Sequence, residues 1–198
     1  MPDNRVEKGK ATRDTLVRVA RELFGERGYE GTSVGAVLDA AGVARGALYH
    51  HFATKEELFD AVLDREVAQI ADAAARAART ARDPLGGLRA GSATWLQIAL
   101  DPAIQRILLL DAPAVVGWKR WRELDEEHML GGLRAGIAAL AARGRVAEAE
   151  VTTLAHMVLA AVSEAALVIA QADNQEAALV DGRAAVDTLL TRLFGGTG

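Results

Sequence analysis

Apolar residues recur along this chain at spacings of three and four, the period of a helix packed on one side, and strand-like alternation competes nowhere. The first such run carries Leu16, Val19, Ala20, Leu23 and Phe24. Thr12 precedes it as a candidate N-cap, with Asp14 in the first turn, and Gly28 is placed to stop it. Thr32 or Ser33 can cap a second, short helix whose Val34, Val37, Leu38 and Ala41 form one face, ended by Gly42. After Val43, the stretch from Ala44 to Phe52 puts Leu48 and Phe52 on one side, while Arg45, Tyr49, His50 and His51 point elsewhere. Thr54-Lys55-Glu56-Glu57 spells a capping box and opens a long fourth helix with Leu58, Phe59, Val62, Leu63, Val67 and Ile70. That helix fades into a small-residue, arginine-dotted stretch from Ala71 to Arg82.

Asp83-Pro84 and Asp101-Pro102 each pair an acidic cap with a first-turn proline, starting helices that run to about Leu100 and about Leu110. Pro113 predicts the next break. Further helices are expected from Trp118 to about Ala142, from Val151 to about Ala172 and from Gln175 to Phe194. The pattern predicts an all-α fold of about nine helices.

Composition sharpens the class. Half of the chain is apolar and a quarter charged, which excludes disorder for its bulk. There is no cysteine, so a disulfide framework, a thiol nucleophile, a Cys-ligated zinc site and an iron–sulfur cluster are all excluded. The start lacks an apolar signal core, and cytoplasmic residence is the expectation. A net charge of −4 argues at first against a nucleic-acid partner. The charge is uneven, however: residues 1–55 hold nine Lys and Arg against seven acids, whereas the remainder holds 14 against 20. A small, mildly basic module joined to a larger acidic one fits that division.

Three short helices, the last two joined by Ala41-Gly42-Val43, have the proportions of a helix-turn-helix. Glycine is required there because the chain must reverse within a few residues, through a backbone conformation with positive φ. The outward face of the third helix carries Arg45, Gly46, Ala47, Tyr49, His50 and, at its edge, His51. Arginine can read guanine bidentately, tyrosine and histidine can donate to phosphate, and glycine and alanine let the helix approach the bases.

Leu23-Phe24, Gly28-Tyr29, Thr32-Ser33-Val34, Ala41-Gly42-Val43, Gly46-Ala47-Leu48-Tyr49-His50-His51-Phe52 and Lys55-Glu56-Glu57-Leu58 stand in this order and spacing. In these residues the run from Thr12 to Leu63 resembles the DNA-binding domain of the TetR family of transcriptional regulators. The resemblance implies a homodimer that sets two recognition helices into successive major grooves of a palindromic double-stranded DNA operator. It also implies release by a ligand in the larger C-terminal domain, here a small apolar or amphipathic effector. Carried over residue by residue, Thr32 and Ser33 match phosphate contacts at the second helix, Arg45 and Ala47 base-facing positions and Gly46 the close-approach glycine. Tyr49, His51 and Lys55 match phosphate contacts, and His50 joins the DNA face. Two departures stand out: Ala44 replaces a frequent capping serine, and Gly35 a longer polar side chain.

The expected organisation is thus a flexible arm over residues 1–11, a helix-turn-helix domain over 12–56, and a ligand-binding and dimerisation domain over 57–198. The very apolar run from Leu154 to Ala170 is short for a bilayer and carries His156 and Glu164, so no membrane partner is expected. With Ala184, Val186, Leu189, Leu190 and Leu193 it resembles the family's dimer face, implying a homodimer through residues 151–172 and 175–194. Polar groups set in apolar helices suit a ligand cavity: the candidates are Trp95, Trp118, Trp121, His128, Met129, His156, Ser163 and Glu164. No metal site, cofactor or catalytic residue is expected. The rival reading is a helical-bundle enzyme with a metal or small-molecule site, which Asp125-x-x-His128 superficially suits. A second such pair is missing, since Thr153 precedes His156 by three residues, and no nucleotide-binding, zincin or nucleophile-elbow motif is present.

Overall fold

The computed structural model describes residues 4–195. Among them there is no strand, and the backbone forms nine continuous helical runs. The chain divides into two compact units: residues 1–66 with 102–121, and residues 67–101 with 122–198.

In the first unit, α1 (Asn4–Gly31) is broken at Gly28, whose φ of 74° and ψ of 173° are open only to glycine. It is followed by α2 (Val34–Ala41), α3 (Arg45–His51) and the first half of α4 (Lys55–Arg79). The pattern places the start of α1 at Thr12, after an arm; the structure carries the helix back to Asn4. The Thr12 hydroxyl donates to the Lys8 carbonyl one turn earlier, and Thr15 does the same to Ala11, so these threonines bond backwards inside a helix and cap nothing. Residues 1–3 of the expected arm lie outside the described residues.

The core of this unit is aromatic and full: Phe24, Tyr29 and Phe59 meet with ring centroids 5.1–5.9 Å apart. It also takes in a segment from the middle of the chain, formed by α6 (Pro102–Ile104), a π-helical stretch (Gln105–Asp111), α7 (Ala112–Val115) and the start of α8 (Gly117–Leu124). The Asp111 carboxylate accepts the Tyr29 N–H at 2.7 Å. Arg120 pairs with Asp60 at 2.8 Å. Ile104, Ile107 and Leu108 are buried, and Gly25 lets Ala103 approach so closely that a Cβ there would stand 2.6 Å from it. Pro113, expected to break the helix, sits in the first turn of α7, where its missing N–H is tolerated; the break comes at Gly117, with φ of 73°.

The second unit holds the rest of α4, α5 (Pro84–Ile98), the remainder of α8, a π-helical turn (Asp125–Met129), α9 (Leu130–Ala141), α10 (Val151–Gln171) and α11 (Gln175–Phe194). Asp83 caps α5 by accepting the Gly86 N–H at 2.9 Å, with Pro84 in the first turn, as the sequence predicts. α5 lies close against α4: a Cβ on Gly87 would be 3.3 Å from the Ala78 carbonyl oxygen, and one on Gly91 3.4 Å from that of Ala74.

On α10 one face, including Val158, Leu159, Val162 and Ile169, is buried, while Met157 and Val168 stand more than half exposed. On α11 the stripe Leu179, Val186, Leu190 and Phe194 is buried within the protomer. Val186 and Leu190, expected on a partner-facing side, therefore belong to the protomer's own core, and Val180, Ala184 and Leu189 point outward. Helix Glu148–Gln171 is long and apolar enough by composition to cross a membrane, so the expectation that it is too short does not hold. Its polar groups speak for a protein environment: His156 Nδ1 lies 3.0 Å from an Arg122 guanidinium nitrogen, and Glu164 is exposed.

Candidate DNA interface and effector cavity

The candidate DNA face is built on a glycine turn. Ser33 caps α2 by accepting the Ala36 N–H at 3.1 Å, which leaves its own hydroxyl proton free to donate. Gly42 ends α2 in the left-handed region, at φ 63° and ψ 31°, and its N–H and that of Val43 return to the Asp39 and Leu38 carbonyls. α3 is then fixed from beneath by Leu48, which is fully buried, and by Phe52. On its other side Arg45, Gly46, Tyr49 and His50 are exposed, with Ala47 and His51 half-buried. Arg45 and Tyr49 are one turn apart, as are Gly46 and His50, so the four make a continuous outward face. Arg45 has no hydrogen bond or ion pair among the described residues, and nothing lies within 4 Å of where a Gly46 Cβ would stand. Ala44 gives α3 no side-chain cap.

Three expected contacts change character. Thr32 is buried and its hydroxyl lies against the Leu23 and Gly28 carbonyls at 3.1 and 2.8 Å, so it stitches the end of α1 and is not offered to phosphate. Lys55 donates to the Tyr29 carbonyl at 2.9 Å and stands 3.9 Å from the centre of the Tyr29 ring, tying the start of α4 to the link after α1. Two ammonium protons remain for a phosphate. The capping box forms as the spacing predicts on one side, Thr54 accepting the Glu57 N–H; Glu57 reaches one residue further back, to the Ala53 N–H.

The His51 ring packs 5.1 Å from His50, and burial, then His50, then Arg13 hold its pKa below the usual histidine range. Arg13 lies over the Phe52 ring at 5.3 Å, placed beside α3 by that contact.

In the second unit, α4, α5, α9 and α10 line a partly open cavity of about 610 Å3, within the range of small-molecule sites. Trp95, His128 and Met129 line it, as expected. Trp118, Trp121, His156, Ser163 and Glu164 do not. Trp118 is 74% exposed, and it and Trp121 belong to the other unit. On α10 the wall is made by Leu159 and Val162; Glu164, two positions beyond Val162, lies about 200° round the helix and points outward. Asp125, suggested by its spacing to His128 as a metal ligand, faces Arg122 at 3.7 Å, and burial raises its pKa above the usual carboxylate range.

Sequence reasoning missed the rest of the wall. Ala71, Ala74 and Ala78 on α4, Gly87 and Gly91 on α5, and Gly132 and Gly136 on α9 line it, with Arg79, Arg82 and Arg143 at one end. The signal was present as small residues recurring at three and four, which put a stripe without side chains on one face of each helix.

The model of the family described as bacterial regulatory proteins, tetR family, matches residues 16–62, and that described as tetracyclin repressor-like, C-terminal domain, matches residues 85–193. A crystal structure of a TetR-family transcriptional regulator from Pectobacterium atrosepticum is 36% identical, covers 99% of this chain and 100% of that one, and superposes with a TM-score of 0.82. The transposon Tn10 TetC protein of Escherichia coli is 28% identical over 134 residues, 68% of this chain and of its own length. The HTH-type transcriptional repressor AcnR of Corynebacterium glutamicum is 39% identical over 66 residues, 33% of this chain and 35% of that protein. The chain belongs to the TetR family of transcriptional regulators. It is a DNA-binding regulator, and its family and fold are those of a regulator and not of an enzyme.

Proposed function

We propose that the protein acts in the cytoplasm as a homodimeric repressor that leaves a palindromic operator when a small molecule fills the cavity of the second unit. Residues 12–56 read the DNA, and residues 57–198 supply the effector cavity and the dimer contacts. The observation that carries this reading is the α3 face: Arg45, Gly46, Tyr49 and His50 are exposed on a helix whose angle to α2 is fixed by the Gly42 turn and the buried Leu48. Arg45 carries the base readout, because Gly46 and Ala47 offer shape and no donors. Ser33, Tyr49, His50, His51 and Lys55 hold the backbone. The exposed apolar residues Met157 and Val168 on α10 and Val180 on α11 support pairing of two protomers through these helices, since single large apolar residues at helical spacing on a long exposed face suit a four-helix contact.

The test is selection of binding sites from random duplexes, followed by titration by fluorescence anisotropy. The selected sites are expected to be inverted repeats whose half-sites lie one helical turn apart or a multiple of it. Affinity should fall steeply with salt as counterions are released. Recovery of direct repeats or of no consensus at all sinks the proposal.

A further inference from the structure

We propose that the cavity of the second unit takes an elongated amphipathic anion: a carboxylate or phosphate head at the arginine end, an apolar body along the middle, and a hydrogen-bond acceptor at the tryptophan end. This rests on the effector-controlled reading above and gives it a ligand class.

The geometry orients the cavity. α5 runs antiparallel to α4, with Gly87 opposite Ala78 and Gly91 opposite Ala74, and Gly136 of α9 approaches Leu88. By the same step, Trp95 lies level with Ala71 and with Met129, while Pro84 lies level with Arg82 and Arg143. The lining therefore runs along α5 from Pro84 to Trp95, about 16 Å at 1.5 Å per residue. Such a length within about 610 Å3 suits a narrow, extended molecule.

The two ends differ in chemistry. Arg79, Arg82 and Arg143 line one end, all three exposed, and none of their side chains has an ion-pair or hydrogen-bond partner among the described residues. Asp83, the acid beside them, is engaged as the cap of α5. Asp72, the other acid of the wall, belongs to the opposite end. Unneutralised guanidinium groups at the mouth of an apolar slot are suited to a planar anion, which they can grip bidentately. Between the ends Leu88, Leu133, Leu159 and Val162 supply apolar wall.

At the other end Trp95 is 94% buried, from its 6% exposure, and its indole N–H, closed off from solvent, has no partner. A buried tryptophan N–H normally finds an acceptor, and leaving one unmet costs about 1–3 kcal/mol. A largely apolar cleft lined at one end by a buried tryptophan with an unmet donor and at the other by unpaired guanidinium groups is shaped for an occupant.

Isothermal titration of the full-length protein with dodecanoate, dodecyl phosphate, dodecanol and dodecylamine, below their micelle concentrations, tests the class. Both anions are expected to bind at least tenfold more tightly than dodecanol, with dodecylamine weakest; the better of the two identifies the head group. Arg79→Gln combined with Arg143→Gln should remove that preference while leaving dodecanol affinity unchanged. ω-Hydroxydodecanoate should bind more tightly than dodecanoate, an advantage that Trp95→Phe, which keeps the ring and removes the N–H, should abolish. Equal binding of dodecanol and dodecanoate, or an anion preference that survives the double arginine substitution, overturns the proposal, as does the absence of binding by all four probes. Operator affinity, measured in parallel, separates the two readings. Anion binding that leaves the operator complex intact upholds the cavity assignment and refutes effector control, whereas release of operator by a neutral or cationic compound alone does the reverse.

Discussion

The two units use small residues in opposite ways. In the first, Gly28 adopts backbone angles open only to glycine and Gly42 left-handed angles that other residues take at a cost, and each fixes the direction of a helix that is otherwise locked by Phe24, Leu48, Phe52 and Phe59. In the second, the glycines and alanines facing the cavity sit in helices with ordinary backbone angles and matter for the space their missing side chains leave. The aromatic core of the first unit is filled and holds α3 at one angle, as base reading by the proposed face requires. The second unit keeps a cavity of about 610 Å3 between α4, α5, α9 and α10, the place of the proposed effector.

That contrast can be broken at several points. Leu48→Ala, at a site with no exposure, should cost about 2–5 kcal/mol in urea unfolding and abolish operator binding. Leu133→Ala, in the half-buried cavity wall, should cost about 1 kcal/mol and leave operator binding intact. Equal costs would show that the second unit is as tightly filled as the first.

Gly28→Ala should lower stability by about 1–3 kcal/mol, from backbone strain alone. A Cβ there would also stand 2.7 Å from Arg106 Nε, forcing that side chain aside. Gly132→Ala is the opposite case: nothing lies within 4 Å of its Cβ position, so alanine should stabilise α9 by about 0.5–1 kcal/mol. Thermal denaturation of the two variants should therefore shift in opposite directions.

On the DNA side, Arg45→Ala should reduce discrimination between operator and scrambled duplex by about 1–3 kcal/mol with little effect on the salt slope, whereas Lys55→Ala should flatten that slope by about 1. An unchanged operator-to-scrambled ratio in Arg45→Ala would remove it as the base reader.

The smallest expected effect is one of pH. Because the folded protein holds the His51 pKa below its unfolded value, the neutral form is the one that folding favours. Its contribution to stability is present above about pH 6.5 and is lost as the pH falls through that value toward the folded pKa. Phosphate contact pulls the other way, favouring the cation, so operator affinity should rise a few-fold between about pH 7.5 and about pH 5.5. His51→Gln should make the profile flatter; a wild-type profile that is already flat places His51 away from phosphate.

The helix-turn-helix was legible in the sequence because its determinants are local: a cap, a glycine turn, and apolar residues one turn apart. Arg45, Gly46, Tyr49 and His50 could be assigned to the outward face from period alone, once Leu48 and Phe52 were assigned to the inward one. Thr32 could not be judged in this way, since whether a threonine at a helix boundary caps outward or bonds back to Leu23 and Gly28 depends on where α1 ends in space. The cavity was read from its large residues, and Trp118 and Glu164 were misplaced because being apolar, or polar among apolar neighbours, does not fix which face meets a void.

By itself, then, the amino-acid order determined the all-α class, the nine helical runs of the described residues and the outward side of α3, all consequences of hydrogen bonds and side-chain spacings within a few residues. Tertiary structure decided what depends on pairs far apart in the chain. It joined residues 102–121 to the helix-turn-helix unit through Asp111 and the backbone of Tyr29, 82 positions away. It set glycine and alanine stripes of separate helices around one cavity, and left the Trp95 N–H without a partner at one end of it. The period of a helix says which residues share a face, but what that face meets is fixed only when another helix, or the absence of one, is packed against it.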